Sequence, residues 1–355
     1  MTTAVVGLSL SPTWWRGGAW REIGSRIEDL ASGEALVDAA RLADSAGVHF
    51  AFKPDSLELD ASVLTEWPGQ TGPDPLVLMS AIARETRRIG LVPTYSTTFA
   101  EPYLVARELQ TLDQLSAGRA GWNAVTSLGG SRNMSGEQPS ADERYGRARE
   151  VIETVRRLHA SYPARAVLAD REGAYADASL IAEIERTERF DVRGPLTVPA
   201  VRDEPLPLLH AGGSPASLTL AARHADAVFA MTESASAGEE LRRGLAALAG
   251  ERATPRVLPG VVLCLGATRD RAWERFEAAG GGGGARHWTI VGTPADASQQ
   301  ILGRIRAGAA DGIIALPYGS WEAVELFTGE VMPELLRSEV FAPPRPDLRE
   351  ILRRR

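Results

Sequence analysis

What most limits how this chain can fold is a repeat in its hydrophobic pattern. Short apolar runs, each leading into a turn and then a segment of helical spacing, recur along nearly all of its 355 residues. The runs fall at 5–10, 48–52, 89–96, 119–127, 206–210, 225–230, 257–265 and 312–316. Between them, 33–47, 75–87, 102–115, 142–159, 216–224, 239–248 and 321–336 carry helical patterns, and another helix follows Gly292-Thr293-Pro294 to about Gly308. In 33–47, for example, Leu36, Ala39, Ala40 and Ala43 share one face. Strands spaced by helices are joined by right-handed parallel crossovers. Eight such units predict an α/β chain folded as a (β/α)8 TIM barrel with insertions; a doubly wound sheet is the alternative. The barrel is expected over 1–340, with an insertion at about 160–205, a flexible Gly-rich segment at about 278–286 and a C-terminal tail at 341–355. Five consecutive glycines at 280–284 carry high chain entropy, so 280–286 is expected to be poorly ordered without ligand.

The formal charge of −7 argues against a nucleic-acid-binding surface. The sole cysteine, Cys264, excludes an internal disulfide and suits a reducing compartment. No apolar run approaches the roughly 18 residues of a membrane span, and the N-terminus lacks the basic and apolar regions of a signal peptide. A cytoplasmic protein with no membrane or nucleic-acid partner is expected.

Parallel α/β folds gather ligand-binding groups at the C-terminal ends of their strands. Asp55 follows the second run, and Asn123, Thr126 and Ser127 close the fourth. The plain alternatives are that Asp55 caps a turn and that the fourth run is a buried strand with a polar exit. Gly212-Gly213-Ser214 stands between the fifth run and a helix, where backbone N–H groups and the helix dipole form an anion site; a tight turn is the alternative. It is neither a Walker motif nor a dinucleotide fingerprint. Trp14, Trp15 and Trp20 in the first loop either line an aromatic pocket or pack beneath the loop. The histidines, at 49, 159, 210, 224 and 287, are scattered and suggest no metal cluster.

The wording of several segments is more specific than their spacing. "LDQLSAGRAGWNAVTS" (112–127) resembles the signature of the nitrilotriacetate monooxygenase branch of the bacterial-luciferase-like flavin monooxygenases. "FKPDSLELD" (52–60), "RIGLVPTYSTTFAEPYLVAR" (88–107), "DERYGRARE" (142–150), "VRGPLTVP" (192–199), "AGGSPAS" (211–217), "AARHADAVF" (221–229), "TIVGTPADASQQI" (289–301) and "GAADGIIALP" (308–317) resemble the branch's other segments in order.

The resemblance implies reduced FMN, delivered by a separate flavin reductase, reacting with O2 to oxygenate a small organic substrate in a homodimer or homotetramer. Motif for motif, Asp55, Thr94, Asn123 and Tyr145 would line the flavin site, with Gly213 and Ser214 at the phosphate. The chain departs from the branch in three places. Ala141 stands where a His usually precedes the tyrosine by four residues. The first loop offers Ser11, Trp14 and Trp15 in place of a His, which leaves the catalytic residues unassigned. The segment before "TIVGTP" is short and glycine-rich. An F420-dependent oxidoreductase on the same barrel, or a non-catalytic flavin-binding protein, are the other functions considered.

Overall fold

The computed structural model describes residues 3–127, 129–134, 137–281 and 287–353. The chain alternates β1 (Val5–Ser9), α1 (Glu34–Ala46), β2 (Phe50–Lys53), α2 (Pro75–Glu85), β3 (Gly90–Ser96), α3 (Pro102–Leu115), β4 (Trp122–Val125) and α4 (Ala141–Ser161). It continues through β5 (Leu208–Ala211), α5 (Pro215–His224), β6 (Ala227–Ala230), α6 (Ala235–Ala249), β7 (Arg256–Leu265), α7 (Arg269–Ala278), β8 (Trp288–Gly292), α8 (Pro294–Arg306) and β9 (Gly312–Pro317). A closing helix runs through α9 (Glu322–Leu326), a π-helical turn (Phe327–Val331) and α10 (Met332–Arg337), and α11 (Leu348–Leu352) ends the described chain.

All strand pairs are parallel, and the ring β1-β2-β3-β4-β5-β6-β7-β9 closes through pairing of β9 with β1. The expected eight-stranded barrel is present, with one strand more than the hydrophobic runs indicate. β7 is ten residues long; Arg256 to Pro259 pair with β6, and Val261 to Leu265 pair with β8. The stretch 287–291, read only as the approach to a helix, thus supplies a strand that covers the part of β7 extending beyond β6.

Side chains alternate between the two faces of each strand. Val5, Phe50, Phe52, Val92, Leu209, Ala227, Leu258 and Ile314 form the interior cluster. The outward set, with Leu8, Leu91, Trp122 and Leu263, packs under the helices. Leu348, Ile351 and Leu352 of α11 enter the interior cluster from the base. The segment set apart as a tail at 341–355 therefore adds Phe341 and the apolar face of α11 to the core. Arg256 fastens it by donating to the carbonyls of Leu352 and Arg353. The helical spacing of its three apolar residues is the physical reason.

The charged half of the 112–127 motif also works at the base. Ala117 and Gly118 adopt φ of 58° and 90° and stop α3 in the left-handed region. Asp113, fully buried, accepts from Ala120 N at 3.1 Å and from Arg349 Nη2 at 3.0 Å. Arg119 donates to the carbonyls of Ser116, Ile89 and Ala83 at 2.8, 2.7 and 2.9 Å.

Residues 162–205 wrap the outside of α3 and α4. Gln114 Nε2 donates to Pro199 O at 2.9 Å, Leu196 N to Ser161 Oγ at 3.0 Å, and Phe190, Leu196 and Ala200 are buried. Of the expected flexible segment, 282–286 lies outside the described residues. Trp14 and Trp15 have no exposed surface, and Trp14 meets Trp15 and Trp321 edge-on at 5.7 and 5.8 Å. Those two rings pack beneath the first loop and line no open pocket. Among the described residues, no helix is long and apolar enough to cross a membrane.

Candidate active site

At the C-terminal mouth of the barrel, β3 and β4 place Thr94 and Asn123 side by side in register, both on the inward face. Asn123 Nδ2 donates to Thr94 Oγ1 at 3.0 Å, and both residues are buried. The bond fixes the amide's orientation and leaves Asn123 Oδ1 buried with no partner among the described residues. A buried acceptor without a donor is uncommon in folded proteins and marks a place where a ligand can supply one. Further out, Ser127 Oγ donates to Ser96 Oγ at 2.7 Å. Both Thr94 and Asn123 lie within their strands, so they stand deeper than a loop position would.

A second pair forms above β5. Ser214 is the N-cap of α5 and accepts from Ser217 N at 3.2 Å. Tyr145, in the first turns of α4, comes within 3.0 Å of Ser214 Oγ although 69 residues separate them in sequence. Gly213 and Ser214 are exposed, and nothing lies within 4 Å of where a Gly213 side chain would begin.

Residues that spacing did not single out hold this turn. Ser217 Oγ bonds His210 Nε2 at 2.8 Å, and His210 Nδ1 bonds Ala124 O at 2.6 Å. Nδ1 faces the carbonyl and donates to it; burial lowers the ring's pKa, which favours the neutral form with Nε2 accepting from the hydroxyl. Gly212 passes over Ser217 at a φ of 152°, and a Cβ there would stand 2.2 Å from Ser217 Oγ. The glycine is thus needed for close approach as much as for its backbone angle. His210, Ser217 and Gly212 tie β4, β5 and α5 into one rigid corner, and Ser214 is presented from it.

Asp55 stands at the same end of the barrel, two residues beyond β2, but outside both pairs. Its pKa is raised, burial outweighing the attraction of Lys53 and a backbone hydrogen bond from Ser56. Lys53, on the opposite face of β2 from Phe52, is buried beneath the loop that follows; Nζ donates to Pro54 O at 3.0 Å, and burial lowers its pKa. Hydrogen bonds join Thr94 to Asn123 and Tyr145 to Ser214, whereas among the described residues Asp55 accepts from Ser56 in its own turn. Ala141 is the exposed first residue of α4, whose capping box is made by Ser140 and Glu143.

The floor of the mouth is aromatic. Phe52 and Phe229 meet with ring centroids 5.2 Å apart. β2 and β6 face each other across the ring of strands, so this contact spans the lumen. No group of three or more His, Cys, Asp or Glu suited to a metal occurs among the described residues.

The luciferase-like monooxygenase family model matches residues 16–331. The chain is 30% identical over 285 residues to the N-acetyl-S-(2-succino)cysteine monooxygenase of Bacillus subtilis (strain 168), which covers 77% of this chain and 63% of that protein. It is 36% identical over 213 residues to nitrilotriacetate monooxygenase component A of Aminobacter aminovorans, covering 58% and 47%. The chain thus spans less than two thirds of the length of these relatives. The structure of the EDTA monooxygenase from Chelativorans sp. BNC1 superposes with a TM-score of 0.86 at 25% identity, covering 99% of this chain and 98% of that one. The closed parallel barrel, the ordered motifs and these matches agree: the chain belongs to the luciferase-like monooxygenase family.

Proposed function

We propose that the protein is a two-component monooxygenase that takes reduced FMN from a separate flavin reductase and transfers one atom of O2 to a small organic substrate. The observation that carries this reading is the meeting of Tyr145 and Ser214 at the open N-terminus of α5. Two hydroxyls, exposed glycine backbone and the positive end of a helix dipole converge there. A phosphate is the chemical group that uses all of them, and FMN carries one.

The residues deeper in the mouth suit the rest of the cofactor. Asn123 Oδ1, buried and without a donor, would accept from an N–H of the flavin ring, and Thr94 would hold the amide for it. The apolar floor of Phe52 and Phe229 would exclude water beneath the ring. Bound reduced flavin supplies the two electrons that O2 chemistry requires; one oxygen atom passes to the substrate and the other leaves as water. The protein's share is to bind by the phosphate, orient the ring and keep the chamber dry. Asp55, raised in pKa at the rim, is read as a lining residue of the cofactor entrance.

The test is an anaerobic titration of purified protein with FMN, reduced FMN, reduced riboflavin and reduced F420, followed by O2. Reduced FMN should bind more tightly than reduced riboflavin. Ser214→Ala should remove a hydrogen bond to a charged group, about 1.5–3 kcal/mol, or roughly ten- to hundredfold in affinity. Tyr145→Phe should weaken binding in the same direction. Equal binding of reduced riboflavin and reduced FMN, with both variants unchanged, would remove the phosphate site. Preferential binding of F420 would move the protein to the oxidoreductase reading. Tight reduced-FMN binding with no oxygenated product from any substrate offered would favour a non-catalytic flavin carrier.

A further inference from the structure

The end of the barrel away from the mouth holds a cavity of its own, beside the starts of β5 and β6. Its volume is about 280 Å³, and Leu206, Leu352 and two prolines, 205 and 207, give it an apolar wall. Four guanidinium groups line the rest together with the carboxylate of Asp226. Arg156 comes from α4, Arg252 from the turn after α6, and Arg349 and Arg353 from α11 and its C-cap.

Carboxylates meet two of the four charges. Arg349 is spent inward: Nη2 donates to Asp113 Oδ2 at 3.0 Å, Nη1 to Gly118 O at 3.2 Å and Nε to Pro205 O at 3.3 Å. Arg252 Nη2 stands 3.7 Å from Asp226 Oδ1, and Asp226 Oδ2 already accepts from Leu208 N at 2.9 Å. Arg156 donates to His224, from Nη2 to the carbonyl at 2.6 Å and from Nη1 to Nδ1 at 3.4 Å. Neither Arg156 nor Arg353 forms an ion pair among the described residues. A guanidinium has five N–H donors, so both keep donors for an incoming group. Arg156 is half-buried, and a cation so placed without a close anion is costly. The excess charge is felt at His224. Burial, and then Arg156, Arg252, Arg223 and Arg149, hold its pKa down to about 4. This field is local, since the whole chain carries a formal charge of −7.

We propose that this cavity binds a dianionic phosphate monoester with a small organic part, at a site separate from the mouth. Its phosphoryl group would bridge Arg156 and Arg353 and accept charge-assisted hydrogen bonds from both. A phosphate monoester carries a charge of about −1.5 to −2 at pH 7, which matches two unbalanced guanidinium groups; a monocarboxylate balances one. The organic part would lie against Leu206 and Leu352. The volume stands at the lower end of small-molecule sites, roughly 300 Å³ upward, so a few carbons fit and a nucleotide does not. Once bound, the ester would tie α11 to α4 and hold the C-terminal plug in the base. The inference does not depend on the flavin reading of the mouth.

The test is anaerobic calorimetric titration of the full chain with phenyl phosphate, inorganic phosphate and benzoate. Saturating reduced FMN is present, so that no probe phosphate enters the mouth. Wild type should bind one phenyl phosphate per chain, at least tenfold more tightly than benzoate. Inorganic phosphate should displace phenyl phosphate but bind more weakly, because it leaves the apolar wall bare. Arg353→Glu, at an exposed position, and Arg156→Gln should each weaken phenyl phosphate at least tenfold. Affinity for reduced FMN should stay within threefold in both. Phenyl phosphate should also raise the melting temperature of wild type and leave that of Arg353→Glu unchanged. No saturable binding to wild type, unchanged binding by Arg353→Glu, or benzoate binding as tightly as phenyl phosphate would overturn the proposal. If Arg156→Gln does not fold, Arg353→Glu decides. If wild type binds no reduced FMN, the same titrations of the cofactor-free protein decide, because both substitutions stand at the base, away from Ser214.

Discussion

The base of the barrel carries a histidine whose protonation should set the acid limit of stability. His49 is fully enclosed, with Nδ1 accepting from Val6 N at 2.9 Å and Nε2 donating to Ala342 O at 2.8 Å. A proton on Nδ1 would face the Val6 N–H, and burial holds the pKa down to about 4 against an ordinary value of 6.5. Between those two values the unfolded chain binds a proton that the folded chain refuses. Stability is therefore fully present above pH 6.5, falls as the pH drops through this window, and levels off below about 4. A 2.5-unit gap at 1.36 kcal/mol per unit amounts to about 3 kcal/mol. The other four histidines are also lowered in pKa, and carboxylates add their own acid dependence, so the informative quantity is a difference. Urea unfolding followed by far-UV circular dichroism at pH 7, 6, 5 and 4.5 should show wild type losing more stability than His49→Asn, which can still accept and donate but does not titrate. Most of the ~3 kcal/mol should separate the two losses by pH 4.5. Parallel loss in the two proteins, or a His49 pKa near 6.5 by NMR, would refute the argument.

Three further outcomes follow from the same geometry. Asp113→Ala strands the buried Arg349 guanidinium and should cost about 3–5 kcal/mol in urea unfolding, while the reduced-FMN affinity of the folded protein changes less than threefold. Gly212→Ala drives a Cβ to 2.2 Å from Ser217 Oγ and disturbs the corner that presents Ser214; reduced-FMN affinity by anaerobic fluorescence titration should fall at least tenfold. Ala141→His adds a donor one helical turn before Tyr145, and the same titration should show tighter binding of reduced FMN and no change for reduced riboflavin.

Much of this architecture was legible because burial on both faces writes a strand as a short apolar run, and burial on one face writes a helix as a stripe. The elements that escaped lack those marks. α7 buries only Ala272 and Arg275, so its sequence carries no apolar stripe. β8 has five residues, and its place depends on how far β7 extends beyond β6, a property of the assembled sheet. The C-terminal plug hides Leu348, Ile351 and Leu352 among arginines, so composition outweighed spacing.

The site divides along the same line. Gly212-Gly213-Ser214 was visible because a strand–turn–helix junction has a local signature, and Tyr145 entered only through the family's wording. The His210–Ser217 tie and the contact of Phe52 with Phe229 join residues that become neighbours only when the ring of strands closes. Alternation tells which residues of a strand share a face; it does not tell which strand stands opposite. The 112–127 motif shows why a signature alone cannot separate support from chemistry. Within one short strand and its approach, Asp113 and Arg119 lock the base through buried carbonyls and an ion pair, and Asn123 faces the mouth with a free acceptor. The five residues from Arg119 to Asn123 carry the chain from one end of the barrel to the other. Substitutions at the two ends should therefore separate cleanly: the first pair should change the free energy of unfolding, and Asn123 the affinity for what binds in the mouth.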